Sequence, residues 1–536
     1  MKSKYHLTLL SILCFFMFFG QLDVIPPDLM ESRNLVTARE MVQEGNWWHT
    51  TMNLEPRHEK PPLPTWITAI TMRIGGGFDN LYLLRLPSAL IGTLMVMFFY
   101  GFCFRYTKSR NLAFIAGAVM ATNFMILSQA RINTWDIYTH AFMVGTLWAF
   151  LEGIERKKWR YHYLAALLFA MSFMSKGPVS LYTVWLPFLM AYMLIAKQSK
   201  FDPTKLKPIL FITSIGLLLG AFWYLSMYLT DQNVAQAIFE KELSGWGNRH
   251  PRPFYFYLHL PIFMGIWIFP FLAFLFPRYA LAKIKEQVPY RQILMWILFT
   301  LVLLSLVPTK KERYLLPIMI PSSLAIASMI HALYYKIRSG TNSNIDRYLF
   351  YSAPILVAIA SIVISIHFIF SEENSNNFIQ IFSCITLQAL ASVTILLVLK
   401  NSAKYTLAST FIAIGLFSFS LFAKSQMLFE GSPKLNSLSE VKNKIDLTNK
   451  KFYALQKDLD PRMIWLLGQN VYSSEGISFT EEENFPLIYL SYVPIEEHFS
   501  QEILKKLEVE FNGKYDIRPQ ESKWQAHVYE LTWRKN

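Results

Sequence analysis

Cysteine is nearly missing from this chain: three in 536 residues, and Cys14, Cys103 and Cys384 all fall inside apolar runs. They read as small buried hydrophobes, which excludes a disulfide framework, and no metal-ligand spacing is formed. Charge is scarce too, at 16% of residues against 53% hydrophobic. Short internal repeats and low-complexity tracts are absent. No small-residue cleavage site follows Phe19-Gly20-Gln21, so residues 1–22 read as a retained first helix, not a removed leader.

Long apolar runs are abundant, and the mean hydropathy is +0.28. They predict about thirteen membrane spans. The runs lie near residues 5–22, 82–104, 111–128, 137–153, 161–174, 179–196, 208–229, 256–277, 292–307, 314–335, 348–370, 379–399 and 405–423. The net charge of +14 suggests a polyanion partner only until its distribution is followed. With the amino terminus inside, the inner loops 105–110, 154–161, 197–207, 278–291, 336–347 and 400–404 hold twenty Lys/Arg. They hold four acids, Glu155, Asp202, Glu286 and Asp346. The excess of sixteen surpasses the net charge of the whole chain, so the basic balance is the positive-inside rule and not a nucleic-acid footprint.

Two segments are too polar to span. In the outer loop 23–80, Leu35, Val36, Ala38, Met41 and Val42 recur at helical spacing and Gly45 supplies a stop. A second helix, Trp66 to Gly75, suits the membrane interface. Residues 425–536 carry strand-like runs at 451–455, 486–490 and 526–531, with a helix over 495–507. The expected architecture is an all-α polytopic membrane domain, residues 1–424, followed by a small extracytoplasmic α/β domain, residues 425–536. A lid or stabilising cap is the plain reading of that second domain.

Insertion does not account for the charges on the outer side. Asp28, Glu31, Arg57, Glu59 and Lys60 lie in the proline-stiffened first loop, and Arg131 and Asp136 in the short loop 129–136. Lys176 follows the fifth run; Glu242 and Arg249 lie in loop 230–257; Lys310, Lys311 and Arg313 crowd one turn. Ordinary roles compete: Asp136 as a helix cap, Lys176 as a dipole partner, and interfacial snorkelling for the 310–313 cluster. His250 has no partner at metal spacing and reads as an interfacial hydrogen bonder. Unexplained charge beside a bilayer is nonetheless a functional-site hypothesis. Cations at the rim suit a phosphate, and a carboxylate suits the deprotonation or orientation of a hydroxyl.

At these residues the chain resembles the GT-C glycosyltransferases, most closely the 4-amino-4-deoxy-L-arabinose lipid A transferase and protein O-mannosyltransferase branch. The resemblance covers roughly the first 320 residues. Its marks are Glu31-Ser32-Arg33 with Ala38-Arg39-Glu40-Met41, Glu59-Lys60-Pro61-Pro62, and Asp136. Weaker marks are Ser175-Lys176-Gly177-Pro178, His250-Pro251-Arg252-Pro253-Phe254-Tyr255 and Lys311-Glu312-Arg313-Tyr314. Two positions depart from the pattern: Met30-Glu31 stands where the family has adjacent Asp-Glu, and Arg57-His58 replaces an aromatic residue.

The resemblance implies sugar transfer from a polyprenyl (undecaprenyl) phosphate to lipid A, protein or another envelope glycan. The setting would be the periplasmic side of a bacterial inner membrane, with the carboxyl terminus periplasmic. Glu31, Asp136, Asp28 and Glu59 are the catalytic candidates. Arg57, Lys60, Arg131, Lys176, Glu242, Arg249, Lys310, Lys311 and Arg313 are the substrate-binding candidates. No metal ligands can be assigned, and a divalent cation is the one cofactor left open. A transporter or flippase of lipid-linked sugars is the alternative; it predicts mid-span charges and inverted repeats. A membrane-anchored binding protein leaves the loop carboxylates without a purpose.

Overall fold

The computed structural model describes residues 3–194, 205–233, 236–237, 239–240, 244, 251–284, 287–370, 378–423, 436–445, 450–476, 482, 485–517 and 525–534. The first helices are α1 Ser3–Phe18, α2 Leu29–Glu44, α3 Leu63–Gly75, α4 Leu81–Thr107, α5 Arg110–Ala121, α6 Phe124–Ala130, α7 Trp135–Arg156 and α8 Arg160–Lys176. A π-helical turn, Leu181–Trp185, leads into α9 Leu186–Leu194, and α10 is Leu206–Thr230. After a 3-10 stretch, Phe254–Trp267, come α11 Ile268–Leu275, α12 Pro277–Ile284, α13 Tyr290–Leu306, α14 Leu316–Arg338, α15 Asn344–Phe370, α16 Phe378–Leu399 and α17 Ala403–Ala423.

Among the described residues, five helices are long and apolar enough to cross a membrane: Leu81–Thr107, Leu206–Thr230, Phe254–Leu275, Glu312–Arg338 and Asn344–Ile366. The number is six if α5 and α6, bent by 64°, count as one broken span. Among the described residues, length and composition thus support fewer full-length spans than the thirteen expected from hydropathy. Five apolar helices are shorter, at 10–17 residues. The bend has a local cause: Asn123 caps α6 by accepting from Met125 N and Ile126 N, which ends α5 and starts a new axis.

The chain divides into two compact units that do not follow chain order. The first holds Met1–Leu22, Glu59–Pro64 and Arg85–Ala423. Its packing relies on close helix approach. On α10, Gly216 and Gly220 form a small-xxx-small stripe. A Cβ at Gly216 would lie 2.5 Å from the Phe169 ring, and one at Gly220 would lie 2.6 Å from Phe173 Cβ, both on α8.

The second unit holds Asp23–His58, Thr65–Leu84 and Lys424–Asn536. A hairpin of β1 Thr51–Met52 and β2 Glu55–Pro56 follows α2. Its larger sheet contains β3 Asn436–Ser437, β4 Lys451–Ala454, β5 Val471–Ser473, β6 Leu487–Ser491, β7 Leu507–Asp516 and β8 Gln525–Trp533, in the order β3-β7-β8-β6-β4-β5. Short helices α18 Val441–Lys444, α19 Pro461–Leu467 and α20 Gln501–Lys506 connect them. The helix expected over 495–507 is a 3-10 turn, Ile495–Glu497, then α20.

All five residues of β6 are buried, so this strand is read on both faces. Ile488 and Leu490 pack in a core with Leu35, Val36, Met41, Met72 and Met463, while Leu487 and Tyr489 pack with Ile495, Phe499 and Leu507. Residues of α2 and α3 thus supply one wall of the carboxyl-terminal core.

Replacing Gly220 with leucine should disturb α8, because overpacking a tight contact costs about 1–3 kcal/mol. Thermal unfolding of the reconstituted protein checks this, with a lowered midpoint expected for Gly220→Leu and little change for the exposed Leu218→Ala.

Candidate active site

Within the first unit, Asp136 sits in the opening turn of α7 and is buried. Thr134 is the capping residue, so Asp136 is one step inside the helix, at its positive dipole end. Lys176 is the last residue of α8, where Gly177 (φ 72) turns the chain away. The Lys176 ammonium pairs with Asp136 Oδ1; only 9% and 4% of the two side chains are exposed. Asp136 and Lys176 lie forty positions apart and meet because α7 and α8 run side by side.

The pair is not electrically isolated. Lys176 Nζ lies 5.3 Å from the Tyr314 ring centroid, and the Arg313 guanidinium lies 5.8 Å from the same ring. Both geometries are within cation–π range. Arg313 acts electrostatically on both Asp136 and Lys176, and Lys60 acts on Lys176. Glu59 and Lys60 are half-buried. Tyr182 interacts with Asp136 and Tyr314, and the Tyr257 hydroxyl donates to the Lys311 carbonyl at 3.3 Å. The structure therefore brings together Lys60, Asp136, Lys176 and Arg313, with tyrosines around them.

His140 was not singled out in the sequence. It lies one turn beyond Asp136, is buried, and interacts electrostatically with both Asp136 and Lys176. The i, i+4 spacing from Asp136 was the available signal.

Other candidates take different duties. Lys310 donates to the carbonyls of Val307, Pro308 and Arg252 at 2.7, 3.5 and 3.1 Å. Those contacts engage all three ammonium protons, beside the bridge Pro251–Thr309. Arg131 donates to the carbonyls of Met17, Gly20 and Gln21, which closes the end of α1. Lys311 is half-buried. Glu242, Arg249 and His250 lie outside the described residues.

In the second unit, Asp28 caps α2 by accepting from Met30 N and Glu31 N at 2.8 and 2.7 Å. Glu31 is fully buried. Arg57 braces the helix through the Arg33 carbonyl (3.2 Å) and Thr37 Oγ1 (2.9 Å). A separate polar cluster joins His498 to Tyr489 (3.0 Å) and Ser491 (3.3 Å). Burial lowers the imidazole and pushes the Tyr489 phenol up to about 12, as in a packed interior. Among the described residues, no three His, Cys, Asp or Glu side chains gather as metal ligands would.

Solved structures place this architecture. ArnT from Cupriavidus metallidurans bound to undecaprenyl phosphate is similar with a TM-score of 0.69 and 15% identity, over 99% of this chain and 98% of that one. The Archaeoglobus fulgidus oligosaccharyltransferase is similar at 0.52 and 12%, over 95% and 70%. The fold is the one these two transferase structures have.

Sequence comparison narrows the resemblance. Residues 59–229 match the family described as dolichyl-phosphate-mannose-protein mannosyltransferase. An undecaprenyl phosphate-alpha-4-amino-4-deoxy-L-arabinose arabinosyl transferase of Pseudomonas fluorescens is 27% identical over 313 residues, 56% of this chain and 52% of that protein. An uncharacterized Aquifex aeolicus protein is 26% identical over 319 residues, 59% of this chain and 62% of that protein. The match thus spans only half to three-fifths of these relatives. The resemblance to the aminoarabinose transferase and protein mannosyltransferase branch is borne out.

Removing one partner of a buried ion pair leaves the other uncompensated, at a cost of about 3–5 kcal/mol. Lys176→Met should therefore destabilise more than the double variant Asp136→Asn/Lys176→Met. A double-mutant cycle on thermal unfolding measures the coupling; additive effects would show that the pair does not interact.

Proposed function

We propose that this protein is a membrane glycosyltransferase that moves a sugar from a polyprenyl-phosphate donor to an envelope acceptor on the periplasmic side of a bacterial inner membrane. The observation that carries the proposal is the buried Asp136–Lys176 pair with Arg313 and Lys60 in electrostatic reach. Lys176 of the pair, with Arg313 and Lys60, makes three cations and a net positive site, and a sugar-bearing lipid phosphate is an anion of the matching kind. The undecaprenyl-phosphate sugar in one relative's name and the undecaprenyl phosphate bound by a structural neighbour support the same class of substrate.

The reaction is a single displacement with inversion at the anomeric carbon. The acceptor hydroxyl oxygen forms the new glycosidic bond as the bond to the donor phosphate oxygen breaks. Lys60, Lys176, Lys311 and Arg313 neutralise the departing phosphate. Asp136 takes or orients the hydroxyl proton. Glu31 and Glu59 are further carboxylate candidates, each tested alone. Lipid A, a protein hydroxyl and another glycan are the acceptor classes. A transporter is less well supported, since the paired charges sit at helix ends and not mid-helix.

Purified protein is given radiolabelled undecaprenyl-phosphate sugar and envelope acceptors, and the glycoside is resolved by mass. Product should form without a sealed compartment. Asp136→Asn should lower kcat about 100-fold or more, the usual weight of an acid–base group. Wild-type turnover in that variant would remove Asp136 from the mechanism, and vesicle-dependent uptake without a product would favour transport.

A further inference from the structure

We propose that the carboxyl-terminal sheet is the positioning platform for α2, and that Asn53 and Arg39 are the residues through which it fixes the acidic start of that helix. The functional half of this inference rests on the proposed transfer reaction, in which Glu31 is a candidate.

The helix cannot stand alone. Glu31, Ser32, Asn34, Thr37, Arg39 and Glu40 are all buried at 1% exposure or less. Buried polar and charged groups need partners, and α2 finds them on both sides of a long gap in sequence. Arg39 Nη1 donates to the Ile464 carbonyl of α19 at 3.3 Å, 425 positions away. Glu40, the next residue, accepts from Thr51 Oγ1 at 2.7 Å, Asn53 N at 2.5 Å and Leu54 N at 3.3 Å. That carboxylate ties the helix to the β1–β2 turn.

The turn in turn binds the sheet. Asn53 Nδ2 donates to the Val471 carbonyl at 2.7 Å, and Val471 N donates back to Asn53 Oδ1 at 2.9 Å. This reciprocal pair is what a neighbouring strand would offer. Val471 belongs to β5, the edge strand of the six-stranded sheet. An amide side chain thus covers an edge that would otherwise offer unpaired backbone groups. A path of hydrogen bonds runs from the sheet edge through Asn53 and Glu40 into α2, which Asp28 caps and whose first turn carries Glu31. A lid would touch the first outer segment through separable surfaces, whereas here the two share one apolar core.

The test uses the full chain in nanodiscs. Asn53 has φ 56, so Asn53→Gly removes the side chain and keeps the turn, while Asn53→Asp keeps the bond from Val471 N. Amide exchange of Leu29–Glu44 should rise about tenfold in Asn53→Gly and in Arg39→Met, with β4, β6, α7 and α8 unchanged. Turnover of radiolabelled undecaprenyl-phosphate sugar should fall about tenfold in kcat with KM for the donor unchanged, and Asn53→Asp should restore part of both effects. Unchanged exchange in α2, loss of protection spread equally over β4 and β6, or a defect confined to KM would overturn the platform. Absence of transfer by the wild-type protein would defeat the proposed reaction instead, and the exchange measurements would still decide the platform.

Discussion

Charge at the end of an apolar helix has little water to hold it, and the first unit is organised around that constraint. Asp136 and Lys176 neutralise one another at the ends of α7 and α8, and this is possible only because those helices run together with α10 against α8. Gly216 and Gly220 permit the close approach of α10. Tyr314 then offers one ring to both Lys176 and Arg313. Helix packing and site electrostatics are thus one problem: a shift of α8 moves the ammonium it carries.

The second unit meets a different constraint, the open edge of a sheet. Its strands β4, β5 and β6 run parallel, which leaves β5 at the margin. Asn53 closes that margin with two hydrogen bonds, and apolar residues from α2 and α3 fill the same core. Polar α2 is stable because of what it packs against, not through its own propensity.

Much of this was legible in the sequence. The periodicity of Leu35, Val36, Ala38, Met41 and Val42 with the stop at Gly45 matches α2, whose cap is Gly45 in the left-handed region. The runs at 451–455, 486–490 and 526–531 are β4, β6 and β8. Asp136 and Lys176 were named singly, and their pairing was not, since nothing local encodes which helices adjoin. Charge alone also misleads: Lys310 and Arg131 look like ligand contacts in a string of letters, and in three dimensions they hold backbone carbonyls. β7 was missed because its alternation is broken by Asn512-Gly513, where the register slips at a bulge.

Arg39 meets Ile464 across 425 positions, and Asn53 meets Val471 across 418. At ribosomal speeds of about 5–20 residues per second, roughly 20 to 85 seconds separate the synthesis of these partners. For that interval Leu35, Val36 and Met41 exist without the strands that bury them. A truncated message that stops before the last strands would therefore leave α2 without the wall that buries its apolar face.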